Sequence, residues 1–141
     1  MPDLTNLFIL RQEEIEGATN KEYRQYFCGN LQRPQILPFI QMTGLEIGIS
    51  DYQKNAYDKP HYHIETPDMV YILEGEFHIL ILDTKEVFTM KKGDFISIPP
   101  KTPYASKARS GTKTLFIKKL QGNDKIEIPL DEKLRLWLED I

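Results

Sequence analysis

His61 and His63 stand one residue apart at the head of a stretch reading PHYHIETPDMVYILEGEF, residues 60–77. The chain has three histidines in all, so two of them fall in this one short segment. A carboxylate, Asp68, follows closely. In an extended chain, side chains two positions apart project from the same face. A strand here would therefore aim both imidazoles the same way. Two imidazoles closed by a carboxylate make a donor set for a divalent transition metal, with geometry rather than raw affinity choosing among iron, manganese, nickel, zinc and copper. Non-haem iron sites use this two-His, one-carboxylate set to leave positions open for substrate and oxygen. The alternative is a polar pocket in which the two rings only exchange hydrogen bonds.

The third histidine, His78, falls in residues 77–82, where Phe77, Ile79 and Ile81 alternate with His78 and Leu80. If the apolar set lines the core, His78 points outward and is no ligand. Cys28 is the sole cysteine, so there is no internal disulfide and a reducing cytoplasm is the expected compartment. No base beside it in sequence would lower its pKa, so it reads as a small buried side chain. Tyr52, Tyr57, Tyr62, Tyr71 and Tyr104 gather around the same segments. A tyrosine-lined pocket with a few polar groups would suit a sugar, a phenolic or a small acid. Strands also favour tyrosine simply for packing.

The elements that must position these groups are mostly strands. A chain of 141 residues suits a single core, and 40% hydrophobic with 28% charged residues is ordinary for a globular domain. The formal net charge of −3 argues against nucleic acid as a partner. Lys91-Lys92 and Lys118-Lys119 read as solvated strand ends. No apolar run reaches the ~20 residues of a membrane helix, and the start lacks the marks of a signal peptide. From residue 36 to 121 the pattern is that of a β-barrel core: short alternating runs at 45–49, 69–73, 77–82, 87–90, 95–98, 104–108 and 115–120, separated by Gly, Pro and Asp turns. Residues 51–59 read as a polar loop. Residues 1–35 read as an N-terminal arm docked on the barrel or on a second subunit. Within it, 7–10 suits a short strand. Thr19 with Glu22 suits a helix capping box closed by Gly29, while EYRQYF alternates as a strand would, and both readings stand. In the tail, 122–141, Leu130, Leu134, Trp137, Leu138 and Ile141 share one face of a helix starting near Asp131.

These segments together resemble a small single-domain cupin. The family's first motif is His-x-His, an acid three or four residues on, six residues, then Gly. Here His61-Tyr62-His63 is followed after four residues by Asp68 and after six more by Gly75. The second motif runs from Gly through Pro to a terminal His; here Gly93 leads to Pro99, and the terminal position holds Tyr104. The likeness covers roughly residues 42–120. It implies an all-β, jelly-roll (double-stranded β-helix) barrel and a metal held by His61, His63, Asp68 and, at the fourth position, Tyr104. The ion would be Fe, Mn, Ni or Zn. Asp68 stands where the family has Glu, Tyr104 where it has His, and Lys101 where it has Gly. A phenol with a reference pKa of about 10 serves as readily as a hydrogen-bond donor or acid/base group as it does as a ligand. Cupins span many chemistries. The resemblance therefore implies a metal-binding protein acting on or binding a small molecule, as an oxygenase or isomerase. The alternative is a non-catalytic or metal-free cupin that binds a carbohydrate-like or small acidic ligand, a metal-free sugar epimerase or isomerase included. A homodimer is the expected assembly.

Overall fold

The computed structural model describes residues 7–119 and 124–140. Among these, the elements in chain order are α1 (Gln12–Thr19), β1 (Arg24–Gly29), β2 (Ile40–Gln41), β3 (Glu46–Asp51), β4 (Ala56–His63), β5 (Asp68–Glu74), β6 (Glu76–Ile81), β7 (Val87–Lys91), β8 (Phe95–Ile98), β9 (Tyr104–Ala108), β10 (Lys113–Lys118), β11 (Lys125–Glu127) and α2 (Glu132–Glu139). The strands form two sheets. One has six strands in the order β2-β1-β3-β10-β5-β8, the other five in the order β11-β4-β9-β6-β7. From β3 to β6 the chain changes sheet at every step, which is how a jelly roll places residues distant in sequence side by side. The fold is thus all-β with a short C-terminal helix, as the strand pattern predicts.

The main core lies between the sheets. Val70, Ile72 and Ile98 come from the six-stranded side, and Phe77, Ile79, Tyr104 and Ala108 from the five-stranded side. Period-two alternation on β6 does what the sequence suggests. Phe77 and Ile79 enter this core, while Leu80 turns to the other face. That other face is covered. Leu134 and Leu138 of α2 pack there with Ala105 and Leu80. With core on one side and α2 on the other, all five residues of β9 are buried.

α2 is held at both ends. At its start, the Asp131 carboxylate accepts the Leu134 N–H at 2.8 Å, a side-chain cap that satisfies an orphan helix donor. At its end, Lys107 of β9 donates from Nζ to the carbonyls of Trp137 and Asp140, both at 2.6 Å. The same ammonium lies 4.2 Å from the Trp137 ring centroid. A cation at the negative end of a helix is favourable, and hydrogen bonds from a charged donor are the strong kind. Lys107→Met keeps the aliphatic stem and removes this clamp. It should cost about 2 kcal/mol, read as a lower melting temperature with a red-shifted Trp137 emission. An unchanged melt would show that Leu134 and Leu138 dock the helix unaided.

Several expectations need correction. Thr19 does not start a helix; α1 ends there, and the Thr19 hydroxyl donates to the Glu16 carbonyl. The EYRQYF alternation is the one that folds: β1 pairs antiparallel with β3, so the sheets begin at Arg24, inside the segment read as an arm. Residues 7–10 form no strand. The 51–59 loop shrinks to 52–55, because β3 runs through Asp51 and β4 already begins at Ala56. Downstream of the expected barrel, β11 adds a further strand against β4. Residue 120 of the expected 115–120 strand, and Ile141 of the helical stripe, lie outside the described residues.

Candidate metal centre

β4 carries both histidines to the inside of the five-stranded sheet. His61 pairs in register with Tyr104 on β9, and His63 with Lys125 on β11. Asp68 opens β5 in the facing sheet. The turn at 64–67 folds the chain back, so donor atoms of His61, His63 and Asp68 all lie within 4.8 Å of one another. Asp68 reaches the group although it is one methylene shorter than the family's Glu. The imidazoles are nearly perpendicular, with centroids 5.1 Å apart.

Each ring is fixed by its other nitrogen. His61 Nδ1 lies 2.7 Å from the Lys59 carbonyl oxygen, which can only accept, so Nδ1 carries the proton. His63 Nδ1 lies 2.9 Å from Asp124 Oδ1 and donates to that carboxylate in the same way. Both Nε2 lone pairs are then left for the interior, the arrangement by which outer carbonyls and carboxylates orient metal-binding histidines. Asp124 is itself well anchored. Its Oδ2 accepts the backbone N–H groups of Glu65 at 2.8 Å and Thr66 at 2.9 Å. Burial works against its charge, yet these bonds and the one from His63 hold the carboxyl well below the usual carboxylate range.

Tyr104 completes the cluster. Its hydroxyl lies 3.0 Å from His61 Nε2 and donates a hydrogen bond to Asp68 Oδ2. Burial, then the charge of Asp68 and its hydrogen bond, push the phenol well above its ordinary pKa of 10, so Tyr104 keeps its proton. Burial likewise lowers the His61 pKa and favours the neutral ring. One hydroxyl proton therefore faces two acceptors, His61 Nε2 and the Asp68 carboxylate. The cluster is one positive charge short of full pairing. A cation on the two Nε2 atoms and the carboxylate would supply that charge, so the donor set fits a divalent transition metal.

The other sequence candidates separate clearly. His78 sits at the sheet surface, sharing a hydrogen bond with Thr89 Oγ1 and a contact with Glu76, and takes no part in the cluster. Glu65, a carboxylate nearer to His63 in the chain than Asp68 but off the motif spacing, contributes only its backbone N–H, to Asp124. Of the tyrosines, Tyr52 and Tyr104 turn inward, while Tyr57 and Tyr71 are exposed. Lys101 occupies a left-handed conformation at φ 65°, where the family's Gly would sit without strain, and its N–H donates to the His63 carbonyl at 2.6 Å. Lys101→Gly should relieve about 1–2 kcal/mol of this strain, offset by about 0.5–1 kcal/mol of glycine chain entropy. The expected result is a slightly higher urea midpoint with metal affinity unchanged; a lower midpoint would show that the lysine side chain itself holds the turn.

Two site residues escaped the sequence reading. Asp124 is 61 residues beyond His63 and belongs to no motif. Arg24, from β1, lines the same cavity as the histidines and Asp68. Its one signal in sequence is a cation set between Tyr23 and Tyr26 in an otherwise alternating strand.

Comparison with known proteins agrees with the fold. The family model described as "Cupin domain" matches residues 48–117, from β3 to β10. The rhicadhesin receptor of Pisum sativum is 30% identical over 88 residues, covering 60% of this chain and 39% of the receptor. The chain spans well under half the length of the curated relatives it matches. Among solved structures, KdgF from Halomonas sp. superposes with a TM-score of 0.54 at 16% identity, over 72% of this chain and 80% of that one. The polyketide cyclase RemF from Streptomyces resistomycificus gives 0.50 at 20% identity, over 64% and 63%. At such identities the two structures speak for the fold alone.

Proposed function

The chain belongs to the cupin superfamily, and from that premise we propose that it holds a divalent transition-metal ion on His61, His63 and Asp68 and acts there on a small molecule. The observation that carries this reading is that one donor atom each from His61, His63 and Asp68 lie within 4.8 Å of one another, while the Nδ1 protons of both rings are fixed by outer acceptors. A bound ion would supply Lewis acidity and open positions for a substrate oxygen. Tyr104 holds a proton between His61 and Asp68, where it can pass to or from a ligand as a general acid or base. Oxygenation or isomerisation is the reaction class proposed. The compartment proposed is a reducing cytoplasm, in keeping with the single free and buried Cys28. The assembly proposed is a homodimer, which light scattering would test.

A second reading rests on the Tyr104–Asp68 hydrogen bond, which already engages the carboxylate an ion would need. In that reading the protein binds a carbohydrate-like or small acidic ligand without metal. Tyr104 then serves as the proton donor, as in a metal-free epimerase or isomerase.

The test is thermal shift on untagged, chelator-stripped protein with manganese, ferrous iron, nickel and zinc. A ligand specific to the native state raises the melting temperature. At least one ion should do so near stoichiometry, and Asp124→Asn should weaken it about 10–100-fold by freeing the His63 ring. No shift with any of the four ions would favour the metal-free reading.

A further inference from the structure

The cavity that receives the histidines has a second pole. Its volume is about 80 Å³. A buried water site needs roughly 10–15 Å³ on the same measure, so this is room for a small molecule rather than one water. Arg24, Lys118 and Lys125 line it against the carboxylates of Asp58 and Asp68. The wall is thus net cationic in a chain whose net charge is −3. Lys125 Nζ lies 3.8 Å from Asp58, and Asp68 is taken by Tyr104. No ion pair to Arg24 is present among the described residues.

Arg24 is nevertheless rigidly placed. Its Nε donates to Ser50 Oγ at 3.0 Å. Its guanidinium carbon lies 5.2 Å from the Phe116 centroid and 5.3 Å from that of Tyr23. Ring contacts and the Ser50 bond fix the plane of the fork, leaving its other donors to serve the cavity. A planar, permanently charged fork matches a carboxylate in two parallel hydrogen bonds. Val70, Phe77 and Phe116 supply apolar wall beside it, which suits a short carbon skeleton.

We infer that Arg24 is the anchor for the carboxylate of a small organic acid, whose other end reaches His61 and His63. This rests on the metal-site reading only for that far end. β1 lies outside residues 48–117, so the anchor is not among the residues that match the family model.

The experiment is calorimetric titration of the full chain, with and without the best-stabilising ion. The probes are pyruvate and malonate, their neutral amides pyruvamide and malonamide, and inorganic phosphate. The acids should bind at least tenfold tighter than the amides. Arg24→Gln should remove that preference while leaving the ion-induced thermal shift within threefold. Arg24→Lys keeps the charge, loses the fork, and should fall between the two; it also serves if Arg24→Gln does not fold. Equal binding of acids and amides, tighter binding of phosphate, no binding at tens of millimolar, or acid binding untouched by either variant would each overturn the inference. Arg24-dependent acid binding in a protein that takes no ion would leave the anchor standing and remove the metal reading. Ion binding without acid binding would do the reverse.

Discussion

Replacing His61 and His63 together by alanine should abolish the rise in melting temperature expected of the wild-type chain with a divalent ion. Each variant must be read against its own metal-free melt, because both rings are buried and hydrogen-bonded. Loss of those bonds alone costs about 1–3 kcal/mol where a partner is left unpaired. The metal effect is separate and larger. Two of the three donors proposed for the ion would vanish, leaving Asp68 with its hydrogen bond from Tyr104. Outer-shell changes alone cost about 10–100-fold in affinity, so loss of both ligands should exceed about 100-fold. Titration of the ion against a competing chelator measures it. An unchanged affinity would place the ion elsewhere.

Gly75→Ala should be among the most damaging substitutions in the fold, for reasons unrelated to metal. Gly75 is the corner where the chain leaves the six-stranded sheet and enters the five-stranded one. It sits at φ +80°, and an added Cβ would lie 2.6 Å from Thr112 Oγ1 and 2.7 Å from Thr112 Cα. Thr112 cannot step aside. It is fully buried, its hydroxyl bridges the N–H and C=O of Glu76, and its carbonyl accepts the Tyr52 N–H at the cavity wall. Left-handed strain of about 1–2 kcal/mol adds to overpacking of about 1–3 kcal/mol. Gly93 is the control: φ is +91°, but nothing lies within 4 Å of the point an added Cβ would occupy, so Gly93→Ala carries the strain alone. Urea melts should therefore place Gly75→Ala about 1–3 kcal/mol below Gly93→Ala. Equal losses would mean that Thr112 yields freely.

The parts of this molecule that sequence reveals are those set by local periodicity. His61 and His63 share a face because a strand repeats every two residues, and Gly75 is visible because a corner with positive φ favours that residue. The Asp131 cap and the Leu134–Leu138 stripe are local for the same reason. What local pattern cannot settle is partnership across the fold. The residues near Thr19 and Glu22 carry a helix signal, but Arg24 binds Ser50 and the fully buried Gln25 accepts the Leu37 N–H through its side chain, so β1 wins as a strand. Residues 56–59 look like loop because Tyr57 and Asp58 are polar or exposed, yet they pair with Lys107 and Ser106 of β9. Asp124 and Arg24 reach the site from opposite ends of the chain. Only the jelly-roll order of strands makes them neighbours of His63 and Ser50.

X-ray absorption at the metal edge of untagged protein, purified without added chelator, examines the first coordination sphere itself. The expected spectrum comes from about one transition-metal ion per chain, with imidazole back-scattering from two rings that disappears in the His61→Ala, His63→Ala protein. A bound ion with oxygen-only ligands, or a chain that carries no ion and takes none up, would contradict the assignment of these histidines.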